Sequence, residues 1–212
     1  MNEISASDLI RLFDDWKTLF ATERDFLISL DGKVGDSDLG ITMSKAFAAA
    51  AEAVAAEGEA SGISKLLRSA GAIMARTAPS TMGTLTATGF LRASKALDGA
   101  ESISTAEMAT FWRAFRDGIA ERGKAKVGDK TLLDVLDPVA RVLEKANAAS
   151  KPLGEALSAA LAAAESGLEG TKVMVAQHGK AAAFQEKTVG LQDAGATVGV
   201  LLIGAMAKFV NG

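Results

Sequence analysis

The sequence contains no cysteine and no tyrosine, and His178 is its only histidine. The absence of cysteine excludes disulfides, a thiolate nucleophile and a zinc–thiolate site, and it fits a reducing compartment, so we expect a cytoplasmic protein. A serine-based catalytic triad has no support, because His178 is the single imidazole available. A lone histidine near a helix end is more often a structural or capping residue than a base.

Long apolar runs and an excess of positive charge are also absent. The longest apolar run, 194–207, is shorter than the ~20 residues that a spanning helix needs, so it predicts a buried helix and no membrane partner. The N-terminus lacks a basic segment followed by an apolar core, so no signal peptide is expected. The formal net charge of −3 argues against a nucleic-acid partner.

What the sequence does contain is apolar residues at helical spacing. Hydrophobic residues make up 49%, largely alanine and leucine, and only 5% of residues are aromatic, a composition that favours close-packed helices. No strand pattern or linker is visible, so we expect one all-α domain over 1–212. The predicted helices cover 4–20, 22–30 with Thr22 as N-cap, 41–57, 63–76, 85–97, 105–121 with Ser104 or Thr105 at its start, 131–146 with a kink at Pro138, 153–166, 171–177, and a C-terminal helix after 197.

Three carboxylates lie in the short loop between the second and third predicted helices. Asp31, Asp36 and Asp38 would repel one another unless a cation neutralises them, and hard oxygen ligands suit Mg²⁺ or Ca²⁺. An EF-hand is rejected, because its spacing would require glycine at Ile41 and glutamate at Phe47. Turn and capping aspartates are the alternative interpretation. In proteins Mg²⁺ is usually also coordinated by phosphates of the substrate. A magnesium triad therefore predicts phosphate-binding loops elsewhere in the chain.

Four loops combine glycine with aspartate, serine or threonine directly before an apolar helix: 35–40, 80–84, 128–131 and 190–197. A helix N-terminus offers free N–H groups to phosphate. In an up-and-down bundle, we expect the segments 31–40, 80–84, 123–131 and 190–195 to gather at one end. Lys33, Lys124, Lys130 and Lys180 lie in or beside these loops and could neutralise phosphate. A Walker motif is excluded, because Asp129 stands where its lysine should be.

The order of these motifs resembles a known family. The motifs, in chain order, are Leu30-Asp31 with Gly35-Asp36-x-Asp38-x-Gly40, then Gly123-Lys124 with Gly128-Asp129-Lys130-Thr131 and Asp134, and then Gly190-x-Gln192-Asp193-x-Gly195-Ala196-Thr197. Together they make the chain similar, over nearly its whole length, to the nucleotide-binding L subunit of dihydroxyacetone kinase. The resemblance implies an antiparallel eight-helix barrel, closed at one end by a nucleotide and two Mg²⁺ ions. It also implies a separate K subunit, which holds a short ketose covalently on its own histidine.

The resemblance assigns roles residue by residue. Asp31, Asp36 and Asp38 match the magnesium ligands. The positions implied for binding ADP or ATP are Leu39, Gly40, Ile41, Thr42, Ser80, Thr81, Met82, Gly83, Gly123, Leu132, Lys180, Asp193, Ala194 and Gly195. This chain departs from the family pattern where Leu39 replaces a histidine, Thr42 an asparagine and Lys180 an arginine, and where 79–84 replaces a glycine-rich loop.

The function implied is Mg²⁺-dependent phosphoryl transfer to a ketose held by the K subunit. The family uses either ATP directly or a bound ADP that a phosphotransferase-system protein recharges, and the sequence leaves both open. The alternative is a non-catalytic nucleotide-binding regulator that acts through protein partners, which the departures from the pattern favour. A plain helical bundle with capped ends is the third interpretation. The oligomeric state also stays open, with a homodimer as one alternative.

Overall fold

The computed structural model describes all residues, 1–212, and it is built from nine α-helices. They are α1 Ala6–Thr22, α2 Arg24–Asp31, α3 Leu39–Glu57, α4 Gly62–Thr77, α5 Thr81–Ala96, α6 Thr105–Gly123, α7 Leu133–Ala148, α8 Leu153–Gly170 and α9 Ala194–Asn211. Short 3₁₀ segments cover Glu59–Ser61, Thr171–Val173 and Lys180–Thr188. The only β pairing is an isolated bridge between Ile4 and Ile103. The predicted all-α class is confirmed.

Eight of the helices form a closed antiparallel ring. Helix α1 packs against α3, each helix from α3 to α8 packs against the next in sequence, and α9 returns to α1. The short helix α2 lies mainly against α3. Because most neighbours are joined by short connections, they run in opposite directions, and α3, α5, α7 and α9 all begin at the same end. The expected eight-helix barrel is therefore confirmed.

Side-chain caps set where several helices begin. Ser5 at the start of α1 and Ser104 at the start of α6 each form a reciprocal capping box with the acidic residue three positions on. Ser104 is thus the cap, one of the two residues, Ser104 and Thr105, that the sequence offered for this helix start. Thr22 is not: it is the last residue of α1, its hydroxyl donates to the Thr18 carbonyl, and Glu23 separates α1 from α2.

Two helices begin earlier than the sequence predicted, also because of caps. Ser80 accepts a hydrogen bond from the Gly83 N–H, so α5 starts at Thr81 and not at residue 85. Asp193 accepts one from the Ala196 N–H, so α9 starts at Ala194. The small-residue loop before α5 is therefore only three residues long, 78–80.

The predicted helix over 171–177 is wrong. Only Thr171–Val173 forms one 3₁₀ turn, and a longer 3₁₀ segment, Lys180–Thr188, follows. The Ala176 N–H donates to the Thr188 hydroxyl, a contact from outside the segment that replaces a helical hydrogen bond. Pro138 lies inside α7 as predicted, and α7 continues through it as one helix.

The ring encloses one hydrophobic cluster whose centre is aromatic. Phe90 lies within 6.2 Å, centroid to centroid, of the rings of five aromatic residues: Phe13, Trp16, Phe47, Phe111 and Phe115. Helices α3 and α9 are long and apolar enough to cross a membrane by length and composition alone, but half of each is buried within the barrel. The run 194–207 thus forms a buried helix, as predicted.

Candidate functional site

A cavity of about 880 Å³ opens at the end of the barrel where α3, α5, α7 and α9 begin. Residues from the four segments 31–40, 80–84, 123–131 and 190–195 all line it, so the structure gathers them as the sequence predicted. The expected site residues that line the cavity are Asp31, Asp36, Asp38, Leu39, Ser80, Thr81, Met82, Gly123, Leu132, Lys180, Asp193, Ala194 and Gly195.

Four of the expected site residues do not line the cavity: Gly40, Ile41, Thr42 and Gly83. A Cβ at Gly40 would lie 2.0 Å from the Arg24 carbonyl oxygen, so glycine lets α2 pack closely on α3. Ile41 is exposed and Thr42 is buried in the first turns of α3. None of these four residues therefore presents a side chain to the cavity.

The three aspartates of the 31–38 loop converge. Oxygen atoms of Asp31, Asp36 and Asp38, one from each, lie within 4.8 Å of one another. The Asp38 N–H donates to Asp31 Oδ2 at 3.1 Å, which fixes the two residues relative to each other. A Cβ at Gly35 would lie 2.2 Å from Asp31 Oδ1, so only glycine allows the loop to close this tightly around the carboxylate.

The charge of this cluster is only partly balanced. Burial, followed by the neighbouring charges of Asp36 and Asp31, raises the pKa of Asp38. Lys180 donates to the Asp36 carboxylate, and this hydrogen bond raises the pKa of Lys180. Three carboxylates against one ammonium leave an excess of negative charge. A close set of three carboxylate oxygens in such a loop fits a hard divalent cation such as Mg²⁺.

The first turn of α3 offers donors beside the carboxylates. Asp38 precedes the helix, but its side chain makes no capping hydrogen bond. The first N–H group of the helix that has a partner is that of Thr42, which donates to the Asp38 carbonyl. The N–H groups of residues 39–41 are therefore free of helical or side-chain partners. Free N–H groups at a helix N-terminus bind anions, so residues 39–41 can contribute through their backbone.

Another part of the cavity wall is apolar. Met82 and Leu85 of α5, Ile119 of α6, and Leu132 and Leu133 at the start of α7 line it. An apolar wall next to a cluster of charges and helix N-termini suits a ligand with a flat hydrophobic ring at one end and anionic groups at the other.

The loop before α7 is held by a buried carboxylate. Asp134 accepts hydrogen bonds from the N–H groups of Gly128 at 2.6 Å and Thr131 at 2.7 Å. Between them, Lys130 turns inward and donates to three backbone carbonyls, so its ammonium is not directed at the cavity's ligand space. Lys130 still lines the cavity, whereas Lys33 and Lys124 do not. Of the four lysines that the sequence offered for phosphate, Lys180 alone presents its ammonium there.

The single histidine lies at the cavity after all. His178 Nε2 is 2.9 Å from Asp129 Oδ2, and both His178 and its neighbour Gly179 line the cavity. The hydrogen bond from the Lys126 N–H, and then that from His178, lower the pKa of Asp129. Sequence reasoning missed this pair, although the Gln-His-Gly-Lys run beside Lys180 was a local signal. It also missed Arg122, which lines the cavity together with Lys130 and Lys180.

Asp193 combines two roles at the start of α9. Its carboxylate accepts from the Ala196 N–H at 2.7 Å, and it lines the cavity. Burial raises the pKa of Asp193 to about 6, opposed by the capping bond and by the charge of Lys130. Asp193 is thus an acidic group at the cavity whose pKa lies close to the physiological range.

Comparison with known proteins agrees with this geometry. The DAK2 domain family matches residues 33–208. The chain is 32% identical over 194 residues to the ADP-binding subunit DhaL of the PEP-dependent dihydroxyacetone kinase of Escherichia coli, covering 92% of each chain. It is 29% identical to the corresponding subunit of kinase 1 of Listeria innocua, covering 94% of each. It is 31% identical to a D-erythrulose kinase of Mycolicibacterium smegmatis, covering 88% of this chain and 32% of that kinase.

A solved structure shows the same fold. The dihydroxyacetone kinase of C. freundii in complex with AMP-PNP and Mg²⁺ superposes with a TM-score of 0.72 at 23% identity. The match covers 94% of this chain but only 33% of that kinase, so the chain spans about a third of its length. The family match, the 32% identity to a subunit of equal extent and the shared barrel lead to one conclusion: the chain belongs to the DAK2 domain family.

Proposed function

We propose that this chain is the nucleotide-binding subunit of a dihydroxyacetone-type kinase, a cytoplasmic phosphotransferase subunit with ADP as its bound nucleotide and Mg²⁺ as its metal. The observation that carries the proposal is the meeting of three carboxylates with the free N-terminus of α3 in one cavity. The names of the relatives support ADP, because several are ADP-binding subunits of PEP-dependent or PTS-dependent dihydroxyacetone kinases.

In this proposal, different residues hold the metal, the phosphates and the base of the nucleotide. Asp31, Asp36 and Asp38 would hold Mg²⁺, which when bound neutralises phosphate charge. The free N–H groups at 39–41 and the ammonium of Lys180 would bind phosphate oxygens. The apolar wall around Leu132 would hold the base and exclude water. Catalysis of this kind depends mostly on positioning and electrostatics.

The acceptor substrate is expected on a partner protein. In this proposal the cavity residues hold the metal and the nucleotide, and the Nε2 atom of His178 is paired with the Asp129 carboxylate. The proposal therefore includes a separate substrate-binding K subunit that presents a short ketose, such as dihydroxyacetone or erythrulose, and a phosphotransferase-system protein that recharges the ADP. The relatives' names, which include dihydroxyacetone and erythrulose kinases, support this substrate class.

The test has two parts. The purified chain is denatured, and any released nucleotide is identified by mass; we expect ADP. The native chain is then assayed with dihydroxyacetone, alone and with a matching K subunit, using either ATP or the PEP-driven phosphotransferase system as donor. Turnover should require the K subunit and the PEP-driven donor.

Each alternative has its own signature in this assay. Turnover by the chain alone would refute the two-subunit proposal, and turnover driven by ATP alone would refute ADP as a retained cofactor. Tight nucleotide binding with no transfer under any combination would favour the regulatory alternative. No nucleotide binding at all would refute the proposal.

A further inference from the structure

One buried charge at the edge of the cavity is not used by the proposed chemistry. Lys130 is 3% exposed, and its Nζ donates to the carbonyl oxygens of Thr171 at 2.7 Å, Thr188 at 2.8 Å and Leu191 at 2.7 Å. An ammonium has three hydrogens, so all of its donors are satisfied by backbone. This arrangement compensates the charge without a carboxylate in hydrogen-bond contact, and it leaves no donor for a ligand.

The three carbonyls belong to one stretch of chain, 171–191, which connects α8 to the cap of α9 and is called here the connecting segment. Thr171 lies at its start, and Thr188 and Leu191 lie at its end, so one ammonium joins both ends. Its middle carries the cavity residues His178, Gly179 and Lys180. The position of this wall of the cavity therefore depends on where the two ends are held.

Little else holds the connecting segment. Only Thr171, Ala176 and Thr188 are buried within it, so apolar packing contributes little to its order. The remaining ties are single hydrogen bonds, among them those of the Gly190 N–H to the Lys172 carbonyl at 2.6 Å and the Gln177 N–H to the Asp129 carbonyl at 3.1 Å. Gln185 has a φ of 47°, so the backbone there has no regular helical geometry to stabilise it.

The backbone that presents Lys130 is itself constrained. Its φ is 60°, in the left-handed region that residues with side chains rarely adopt. The Asp134 carboxylate holds this conformation by accepting from the N–H groups of Gly128 and Thr131, on either side of Lys130. A strained conformation that the surrounding structure fixes in this way aims the side chain inward.

We propose that Lys130 is a positioning residue: its ammonium fixes the connecting segment, and through it the Lys180 side chain and the start of α9, in the geometry that receives the nucleotide. Lys130 acts through these residues and does not touch the ligand. The link to the nucleotide rests on the proposed function, whereas the ordering of the segment does not.

The test compares Lys130→Met, which keeps the stem and removes the ammonium, with the wild type and with Lys172→Met. Lys172 is the matched control, because it is a lysine of the same segment whose ammonium pairs with Glu169 at the surface. Hydrogen–deuterium exchange is measured by mass spectrometry without nucleotide. In Lys130→Met, peptides within 171–191 should exchange about tenfold faster or more, while peptides of α6 stay at the wild-type rate. Lys172→Met should match the wild type.

A second variant separates positioning from a direct phosphate contact. Lys130→Arg keeps the charge, but a planar guanidinium cannot direct its donors at three carbonyls that converge on one point. Calorimetry with Mg²⁺–ADP should therefore show affinity weakened about tenfold or more in both Lys130→Met and Lys130→Arg. Restored affinity in the arginine variant would indicate a phosphate contact and overturn the proposal.

The exchange measurement decides the proposal independently of nucleotide binding. Unchanged exchange of 171–191 in Lys130→Met overturns it, and so does faster exchange that spreads equally over the barrel helices. Local loss of protection in a chain that binds no nucleotide would leave the positioning of the segment standing and refute the proposed function instead.

Discussion

Phe90 in the barrel interior is surrounded by five aromatic rings, whereas the three aspartates at the open end face one another with a single lysine beside them. The interior is filled by its own apolar side chains, and Trp16 Nε1 donates to the Leu202 carbonyl at 3.1 Å, although the buried Trp112 Nε1 has no hydrogen-bond partner. The open end has more negative charge than its own residues balance. The difference teaches that the interior determines folding stability, while the open end is arranged for a ligand that supplies positive charge.

The largest effect should come from the interior. Phe90→Ala removes the ring that all five neighbours share, and we expect it to lower the free energy of unfolding by about 3–5 kcal/mol, because the cavity left behind cannot fully collapse. Phe184→Ala is the control, since Phe184 is 40% exposed and should change stability by only about 0.5 kcal/mol. Urea unfolding measures both. Equal effects would contradict the division between interior and open end.

A smaller effect should follow pH through Asp193 at the open end. Its pKa is about 6 in the folded chain against 3.8 as the ordinary value, so the folded state binds the proton more tightly. Stability should therefore fall as the pH rises from about 4 to 6, by up to about 3 kcal/mol for this group, and level off above.

Asp193→Asn isolates that contribution, because asparagine caps a helix nearly as well as aspartate but does not titrate here. The difference in unfolding free energy between wild type and variant should decrease over the same pH range. A difference that is constant from pH 4 to 7 would show that burial does not perturb Asp193.

The next effect should appear only when ligand is present. Asp36→Asn removes one charge from the triad and its ion pair with the exposed Lys180, so without ligand the free energy of unfolding should change by less than about 1 kcal/mol. Mg²⁺–ADP at a hundred times its dissociation constant should stabilise the wild type by roughly 2.7 kcal/mol and stabilise the variant far less. Asp14→Asn, which breaks an exposed pair with Lys17 on α1, is the control. Thermal melts that shift equally in all three proteins would exclude Asp36 as a metal ligand.

The sequence predicted most of the fold for a local reason. Helical spacing and caps such as Ser104 depend on neighbouring residues, so the helices and their order could be read directly. Helix ends were predicted less well, because Ser80 and Asp193 start their helices three or four residues before the apolar pattern becomes clear. The eight-helix ring itself came from the family resemblance and not from the spacing.

The site was predicted where its residues are close in sequence. Asp31, Asp36 and Asp38 lie within one loop, so their convergence followed from spacing. Lys130 and His178 were misjudged, because their partners lie about 40–60 residues away along the chain and are backbone carbonyls or a carboxylate that no local pattern indicates. The helix predicted over 171–177 failed for the same reason, since its polar groups bond to distant residues.

We predict that the open end of the barrel needs a divalent cation to hold a nucleotide. Calorimetric titration of ADP into the nucleotide-free chain, once with excess Mg²⁺ and once with a chelator, tests it directly. We predict that ADP binds about a hundredfold more weakly without Mg²⁺, a difference of about 2.7 kcal/mol, and that Asp36→Asn abolishes most of the dependence on Mg²⁺. Equal affinity for ADP with and without Mg²⁺ in the wild type would contradict a metal-dependent nucleotide site at the open end.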